Sequence, residues 1–301
     1  MQVELISTEA ERRRAWELLN GCLAYDHFTW TEFQRKTVGD PGYRPDMFLG
    51  AYEGAALIGA MVGVFRGGPG NARCNLKIYG VLAQHRLQGI GSALLARLQE
   101  TARQAGASSM EVPGGFLYFF PGLDPRYTPA VAFLLRRGFE RTGETFNMWA
   151  DLTAHSWDTA AEEERLKAEG IAVRRVREED REALGQFMLR EFSQVWLMET
   201  SLAYANEPAT CHVALVHDRI EAFAASQVCG EGWFGPMGTS SALRGKGIGR
   251  VLMYRCFRDL RDLGYGGAVI PWVGPPDFYA KFALAHIDRV FWQFRRALAE
   301  A

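Results

Sequence analysis

Polar and apolar positions along the chain recur with two periods, and together they predict strands and helices in a fixed order. Met1–Ile6 reads as a short strand, and Thr8-Glu9-Ala10-Glu11 fits a capping box opening a helix that runs towards Leu23. Apolar runs at Met47–Tyr52 and Ala55–Phe65, split by the turn pair Glu53-Gly54, predict a hairpin. Cys74–Leu82 is strand-like, and Gly91–Ala105 carries Leu94, Leu95 and Leu98 at helical spacing until Gly106 stops it. A strand at Ser108–Val112, a helix around Pro129–Arg137 and a strand at Thr145–Leu152 complete the order β-α-β-β-β-α-β-α-β.

From His155 to Glu169 the chain turns to Ala, Glu, Lys and Arg, with no aromatic after Trp157, and ends at Gly170, which predicts a helical linker. The same order then restarts: Ile171–Val176 is strand-like, Glu178–Arg190 helical, and His212–Val216 and Ile220–Val228 flank the turn Asp218-Arg219. Offsets make the repeat explicit. Arg86-Leu87-Gln88-Gly89-Ile90-Gly91 and Arg244-Gly245-Lys246-Gly247-Ile248-Gly249 lie 244 − 86 = 158 positions apart, and the same offset pairs Gly80 with Gly238, Leu94 with Leu252, Gly106 with Gly264 and Pro113 with Pro271. The unit is domain-sized, so we expect a duplicated α/β domain, residues 1–152 and 171–301, joined by a linker at 153–170.

Composition agrees with two domains and removes several function classes. A length of 301 residues exceeds what one compact core usually covers, and 48% hydrophobic with 23% charged residues is the balance of a globular chain. A formal net charge of -1 gives no global field towards nucleic acid or anionic lipid, so neither is an expected partner. The longest nearly apolar stretch, Ala55–Phe65, is too short to cross a bilayer. Glu4 precedes the first apolar run and Arg12, Arg13 and Arg14 follow it, the wrong order for a secretory signal, so a cytoplasmic location is expected. Five scattered cysteines without CxxC spacing support neither a disulfide framework nor a metal site.

The chemistry sits where each copy presents a strand, then Arg-x-x-Gly-Ile-Gly, then an amphipathic helix. Glycines at such a turn let a ligand approach the backbone, and the first N–H groups of the helix point outward unsatisfied, so the turn suits a phosphate. A dinucleotide fingerprint needs a third glycine where Leu94 and Leu252 stand, and a P-loop needs Gly-Lys before Ser or Thr, whereas Gly247 follows Lys246.

With both motifs in register, the sequence resembles the GNAT acetyltransferase superfamily, whose signature is Gln/Arg-x-x-Gly-x-Gly/Ala between a strand and a helix. Ala132-Phe133-Leu134-Leu135-Arg136-Arg137-Gly138-Phe139 is similar to the family's later helix and its Gly-Phe ending. The resemblance implies two tandem domains, each a central mixed sheet flanked by helices. It implies that backbone N–H groups across Arg86, Leu87, Gln88, Gly89, Ile90, Gly91 and Ser92, and across Arg244, Gly245, Lys246, Gly247, Ile248, Gly249 and Arg250, hold the pyrophosphate of acetyl-CoA. Two strands then splay to admit the pantetheine arm, and a backbone N–H near Val81 or Thr239 faces the thioester oxygen.

The implied reaction is direct attack by a neutral amine in a ternary complex, with a proton returned to the departing thiolate. Asp277-Phe278-Tyr279-Ala280-Lys281 matches the family's Phe-Tyr-x-Lys, which makes Tyr279 the expected proton donor, although Ala283-Leu284 replaces the Gly-Phe that usually follows. The first copy has Leu134 at that position, leaving Tyr118 or Tyr127 of the inserted segment 114–128 as candidates. Glu111, Glu231 and His85 lie near the motifs, but none is singled out as the general base. The run Phe116-Leu117-Tyr118-Phe119-Phe120 reads as packing beneath a loop or as an acceptor-pocket wall, with Asp124 beside it able to hold a cationic amine. The expected activity is an acetyl-CoA-dependent N-acetyltransferase acting on a small-molecule or amino-acid-like amine, as a monomer or homodimer. One active and one ligand-positioning copy, as in tandem acyltransferases of the mycothiol synthase kind, and a non-catalytic CoA sensor are the alternatives.

Overall fold

The hydrophobic pattern builds two units, which the computed structural model describes over residues 1–68, 70–113 and 115–298. One comprises Met1–Thr145 with Val290–Ala301, the other Phe146–Arg289. The expected boundaries at 152 and 170 do not coincide with this division. Segment 153–170 packs within the second unit, and the chain's last strand belongs mostly to the first.

The first unit contains β1 (Gln2–Leu5), α1 (Glu9–Cys22), α2 (Trp30–Lys36), β2 (Phe48–Glu53), β3 (Ala56–Arg66), β4 (Arg73–Val81), α3 (Ile90–Gln104), β5 (Ser109–Val112) and α4 (Thr128–Arg136). The capping box forms as read, with the Glu11 N–H donating to Thr8 Oγ1 at 3.2 Å and the Thr8 N–H to Glu11 Oε2 at 2.8 Å. Strands β1 to β4 are antiparallel neighbours, β5 joins β4 in parallel, and the last strand, His286–Ala297, pairs antiparallel with β5 (Phe294↔Val112). Leu94, Leu95 and Leu98 of α3 bury one face of the sheet against Cys74, Leu76 and Phe294. Ala15, Leu18 and Leu19 of α1 bury the other against Phe33, Ile78 and Phe119.

The β3–β4 register shifts between Val62↔Ile78 and Gly63↔Leu76, so Lys77 is an extra residue at a bulge. Its side chain is fully buried. Nζ donates to Asp40 Oδ2 at 2.8 Å and to the carbonyls of Phe116 (2.9 Å) and Leu117 (2.7 Å). Arg66 donates to both Asp40 oxygens at 2.6 Å and to the Phe116 carbonyl at 3.1 Å. Burial pulls the Lys77 ammonium down to about 7, with Asp40 opposing. The inserted segment is thus pinned to β4 by charge, and its Phe116, Leu117, Tyr118 and Phe119 are buried, the packing alternative rather than a pocket wall. Its first residue, Gly114, lies outside the described residues.

The second unit receives the end of β6 (Glu140–Asp151), which starts five residues earlier than the expected strand. It continues with α5 (Ala160–Ala168), β7 (Ile171–Arg175), α6 (Arg181–Glu191), α7 (Gln194–Ser201), β8 (Cys211–Val216), β9 (Arg219–Ser226), β10 (Phe234–Thr239), α8 (Ile248–Asp262), β11 (Gly267–Ile270), α9 (Pro276–Ala283) and the start of β12 (His286–Ala297). Strands β7 to β10 form an antiparallel sheet in the order β10-β9-β8-β7, and β11 pairs antiparallel with β6 (Gly267↔Asp151). Val251, Leu252, Phe257 and Leu260 of α8 bury one face against Ala222, Ala224 and Phe234. Leu184, Phe187 and Met188 of α6 bury the other against Val213 and Phe223. Each unit is therefore closed by the strand that follows the other copy's last helix: β12 pairs with β5, and β6 with β11.

Candidate functional site

Both copies of the glycine motif fold into the same kink. Leu87 (φ 63°) and Gly89 (φ 85°) are left-handed two positions apart before α3, and Gly245 (φ 83°) and Gly247 (φ 82°) repeat this before α8. Alternating handedness turns successive N–H groups towards one concave side, and the helix behind adds its unsatisfied N–H groups and positive dipole end. A Cβ on Gly89 would meet nothing within 4 Å, so the approach to the first loop is open. The later glycine has a packing reason in the first copy, where a Cβ on Gly91 would lie 3.3 Å from the Phe133 ring, whereas at Gly249 the nearest contact, with the Phe278 ring at 3.7 Å, is an ordinary one. Ile90 and Ile248 are buried and anchor the two helices, and Ser92 accepts from Arg137 Nε at 3.1 Å.

The strands that carry these loops part from their parallel neighbours at equivalent residues. In the first copy β4 and β5 pair from Arg73↔Ser109 to Asn75↔Glu111 and no further among the described residues. In the second a single parallel bridge joins Trp233 to Val269, the same two positions displaced by 233 − 75 = 158 and 269 − 111 = 158. Beyond them a gap opens. The Leu82 N–H donates to the Ile58 carbonyl at 3.0 Å, so the preceding N–H, that of Val81, is directed away from β3. Ser240 donates likewise to Glu221 at 2.9 Å and leaves Thr239 directed away from β9. Arg86 Nε donates to the Val81 carbonyl at 3.0 Å and Arg244 Nε to the Thr239 carbonyl at 3.4 Å.

The proton-transfer candidates fare differently. Tyr279 on α9 is half-buried between Phe234 and Phe278, its ring centroid 6.2 Å and 5.2 Å from theirs. Burial pushes its hydroxyl up to about 12, so it is protonated at neutral pH. Leu134, its counterpart on α4, is fully buried in the core. Tyr118 is buried as well, whereas Tyr127 at the start of α4 donates to Asp26 Oδ2 at 2.6 Å and accepts from the Tyr25 N–H at 3.1 Å. Asp124 does not wait for an amine: it is buried and bonded to Arg126, with 2.7 Å between Oδ2 and Nη2. Glu111 pairs with Arg73 at 3.2 Å and with Arg295 at 3.7 Å. His85 faces Glu53 at 3.9 Å, and Glu231 is exposed.

The surroundings of the second loop were not legible as a site. Arg165 of α5 donates to the Lys246 carbonyl at 2.6 Å, and a Cβ on Gly247 would lie 3.4 Å from its Nη2. Glu169 pairs with Lys246 at 3.3 Å, Glu162 with Arg250 at 2.8 Å, and Glu163 with Arg255. Among the described residues neither Arg86 nor Arg137 at the first loop has a carboxylate partner. No group of His, Cys, Asp and Glu among the described residues could hold a metal ion, and no helix is long and apolar enough to cross a membrane.

The model of the acetyltransferase (GNAT) family matches residues 12–139 and again residues 154–283. No curated protein matches the chain by sequence. Among solved structures, a GCN5-related glucosamine N-acetyltransferase region of a fungal multi-domain GH3 beta-N-acetylglucosaminidase superposes with a TM-score of 0.80 at 16% identity over 98% of this chain, which spans 38% of that one. A GCN5-related N-acetyltransferase from Sphaerobacter thermophilus (TM-score 0.70, 17% identity) is covered to 95% by 99% of this chain. A tandem GNAT protein from the clavulanic acid biosynthesis pathway (TM-score 0.68, 15% identity) is matched over 100% of both chains. At these identities the likeness is one of fold.

Proposed function

The chain belongs to the GNAT acetyltransferase family, a tandem member among the acyltransferases, and from that premise we propose that it transfers the acetyl group of acetyl-CoA to the amine of a small-molecule or amino-acid-like acceptor. The observation that carries this reading is the first loop: two left-handed residues, an open approach and a helix N-terminus, set beside a gap between parallel strands. The residues fit a diphosphate. N–H groups across Arg86 to Ser92 would receive it, and Arg86 and Arg137 would supply cations that no carboxylate among the described residues neutralises.

Bound there, acetyl-CoA supplies an acyl group activated as a thioester. The chain's own residues do the rest. The free edge of β4 aligns the extended arm of the ligand as an added strand would. Val81, whose N–H is directed away from β3, would donate to an oxygen that gains charge as the amine attacks. Tyr127, polarised by the 2.6 Å bond to Asp26, is the proton relay we assign to the first copy. Thr239 and Tyr279 hold the equivalent roles for a thioester held at the second loop, and a hydroxyl pushed up to about 12 serves there as a donor rather than a base.

Incubating the purified chain with acetyl-CoA and a panel of primary amines, while following free thiol, tests the assignment. Amine-dependent thiol release is expected. Absence of both thiol release and coenzyme A affinity overturns it.

A further inference from the structure

We propose that α5 is an internal occupant of the second loop, its carboxylates standing where the charges of a diphosphate would lie, so that the chain binds one coenzyme A, at the first loop, and gains a second site only when those charges are removed. This rests on the reading of the loops as diphosphate cradles.

Helix α5 and a diphosphate would compete for the same groups. A diphosphate at the second loop would need the cations Lys246 and Arg250 and the space beside Gly247. Glu169 already holds Lys246 at 3.3 Å, Glu162 holds Arg250 at 2.8 Å, and the Arg165 guanidinium lies against Gly247 while bonded to the Lys246 carbonyl at 2.6 Å. Arg165 brings no unspent charge, because Glu169 pairs with it one turn along the same helix. Among the described residues the first loop shows none of these features: Gly89 faces open space, and the nearby Arg86 and Arg137 are bonded to neutral oxygens of Val81 and Ser92.

The contacts that α5 makes to the loop are more exposed than the pair that holds the helix to α8, Glu163 with Arg255. Among its described side chains only Leu166 is buried, so no apolar stripe fixes the helix. Its pairs with Lys246 and Arg250 leave the partner side chains 30% to 43% exposed, where each ion pair is individually weak. They prevail because the helix is tethered beside the loop at high effective concentration, not because any one contact is strong. Replacing Glu162 and Glu169 by glutamine and Arg165 by alanine frees two cations and the face of Gly247 without touching a residue assigned to catalysis.

Calorimetric titration with coenzyme A counts the sites. One per chain is expected for the natural sequence and two for Glu162→Gln/Arg165→Ala/Glu169→Gln. The same three changes in a Gly89→Val background should keep one. Amide hydrogen exchange supplies a readout needing no substitution: coenzyme A should slow exchange across residues 87–92 and leave 245–250 unchanged in the natural chain. Two sites in the natural chain, protection at both loops, or a triple variant that still binds only one would overturn the proposal while leaving the transferase assignment standing. No binding by the natural chain would remove the assignment and the proposal together.

Discussion

At the first loop Arg86 and Arg137 bond to neutral oxygens, and Gly89 faces open space, whereas at the second Lys246 and Arg250 are held by Glu169 and Glu162, and Gly247 faces Arg165. The backbones are nevertheless alike, with left-handed residues at the same two positions and strands that part at the same register. The glycine motif specifies a backbone shape, whereas the side chains that face it arrive from elsewhere in the chain and differ between the copies.

The largest effect we expect lies at the strand bulge, where the first copy places Lys77 and the corresponding residue of the second, 158 positions on, is Gly235. Asp40→Asn removes the one carboxylate that Lys77 and Arg66 share and should cost about 3–5 kcal/mol in urea unfolding, because two cations lose their buried counter-charge. Burial alone would push the Asp40 carboxyl up, but hydrogen bonds and charge from Arg66 and Lys77 hold it below its ordinary value. A lowered carboxyl contributes stability that is present above about pH 4 and lost as the pH falls through its lowered value, so the natural chain should weaken on acidification and the variant much less. A cost under about 1 kcal/mol would show that the two bulges are energetically alike after all.

Next comes the cradle. Valine at Gly89 or Gly247 must adopt a left-handed backbone, which costs roughly 1–2 kcal/mol of stability in either copy. Such a substitution is therefore not neutral for the fold, contrary to what open space alone implies. Coenzyme A affinity should fall at least 100-fold, about 3 kcal/mol, for Gly89→Val, and change little for Gly247→Val. Equal losses in calorimetry would restore two equivalent sites.

Much of this was readable from the chain, and what was not has a common cause. The Thr8 capping box, the hairpin at Gly54 and both motif helices depend on neighbours within a few residues, and they form as the pattern predicts. Helix α2 lies outside the predicted elements although Thr29 and Glu32 spell the same box, because its seven residues are too few to show an apolar period. Helix α5 lies in the segment expected as a helical linker; its docking rests on charge rather than on an apolar stripe, and hydrophobic periodicity cannot report ion pairs. Strand β12 joins β5, whose residues lie about 185 positions earlier, a pairing to which a local window is blind. Asp124 reads from the sequence as able to hold a cationic amine, yet its partner Arg126 stands only two residues away.

The two tyrosines sharpen the comparison further. If the first loop holds the thioester, Tyr127→Phe should lower kcat by about 100- to 10,000-fold with coenzyme A affinity retained, the range of a lost proton relay. Tyr279→Phe should leave the natural chain's kcat unchanged and slow only the extra turnover of the α5 triple variant. The reverse ranking in steady-state kinetics would assign the chemistry to the second copy.

The smallest effect belongs to Glu111, the carboxylate nearest the first gap. Its counterpart at the second, Val269, cannot accept a proton, so a catalytic Glu111 would make the copies differ in mechanism as well as in occupancy. Geometry argues against that role: Glu111 sits directly across the ladder from Arg295 and also pairs with Arg73, which ties the carboxylate into the sheet. Glu111→Gln should therefore change kcat less than twofold and stability by no more than about 1 kcal/mol, as for other partly exposed pairs. A 100-fold fall in kcat with unchanged coenzyme A affinity would instead place the proton acceptor on β5, and the missing partner at Val269 would then explain why only one copy turns over.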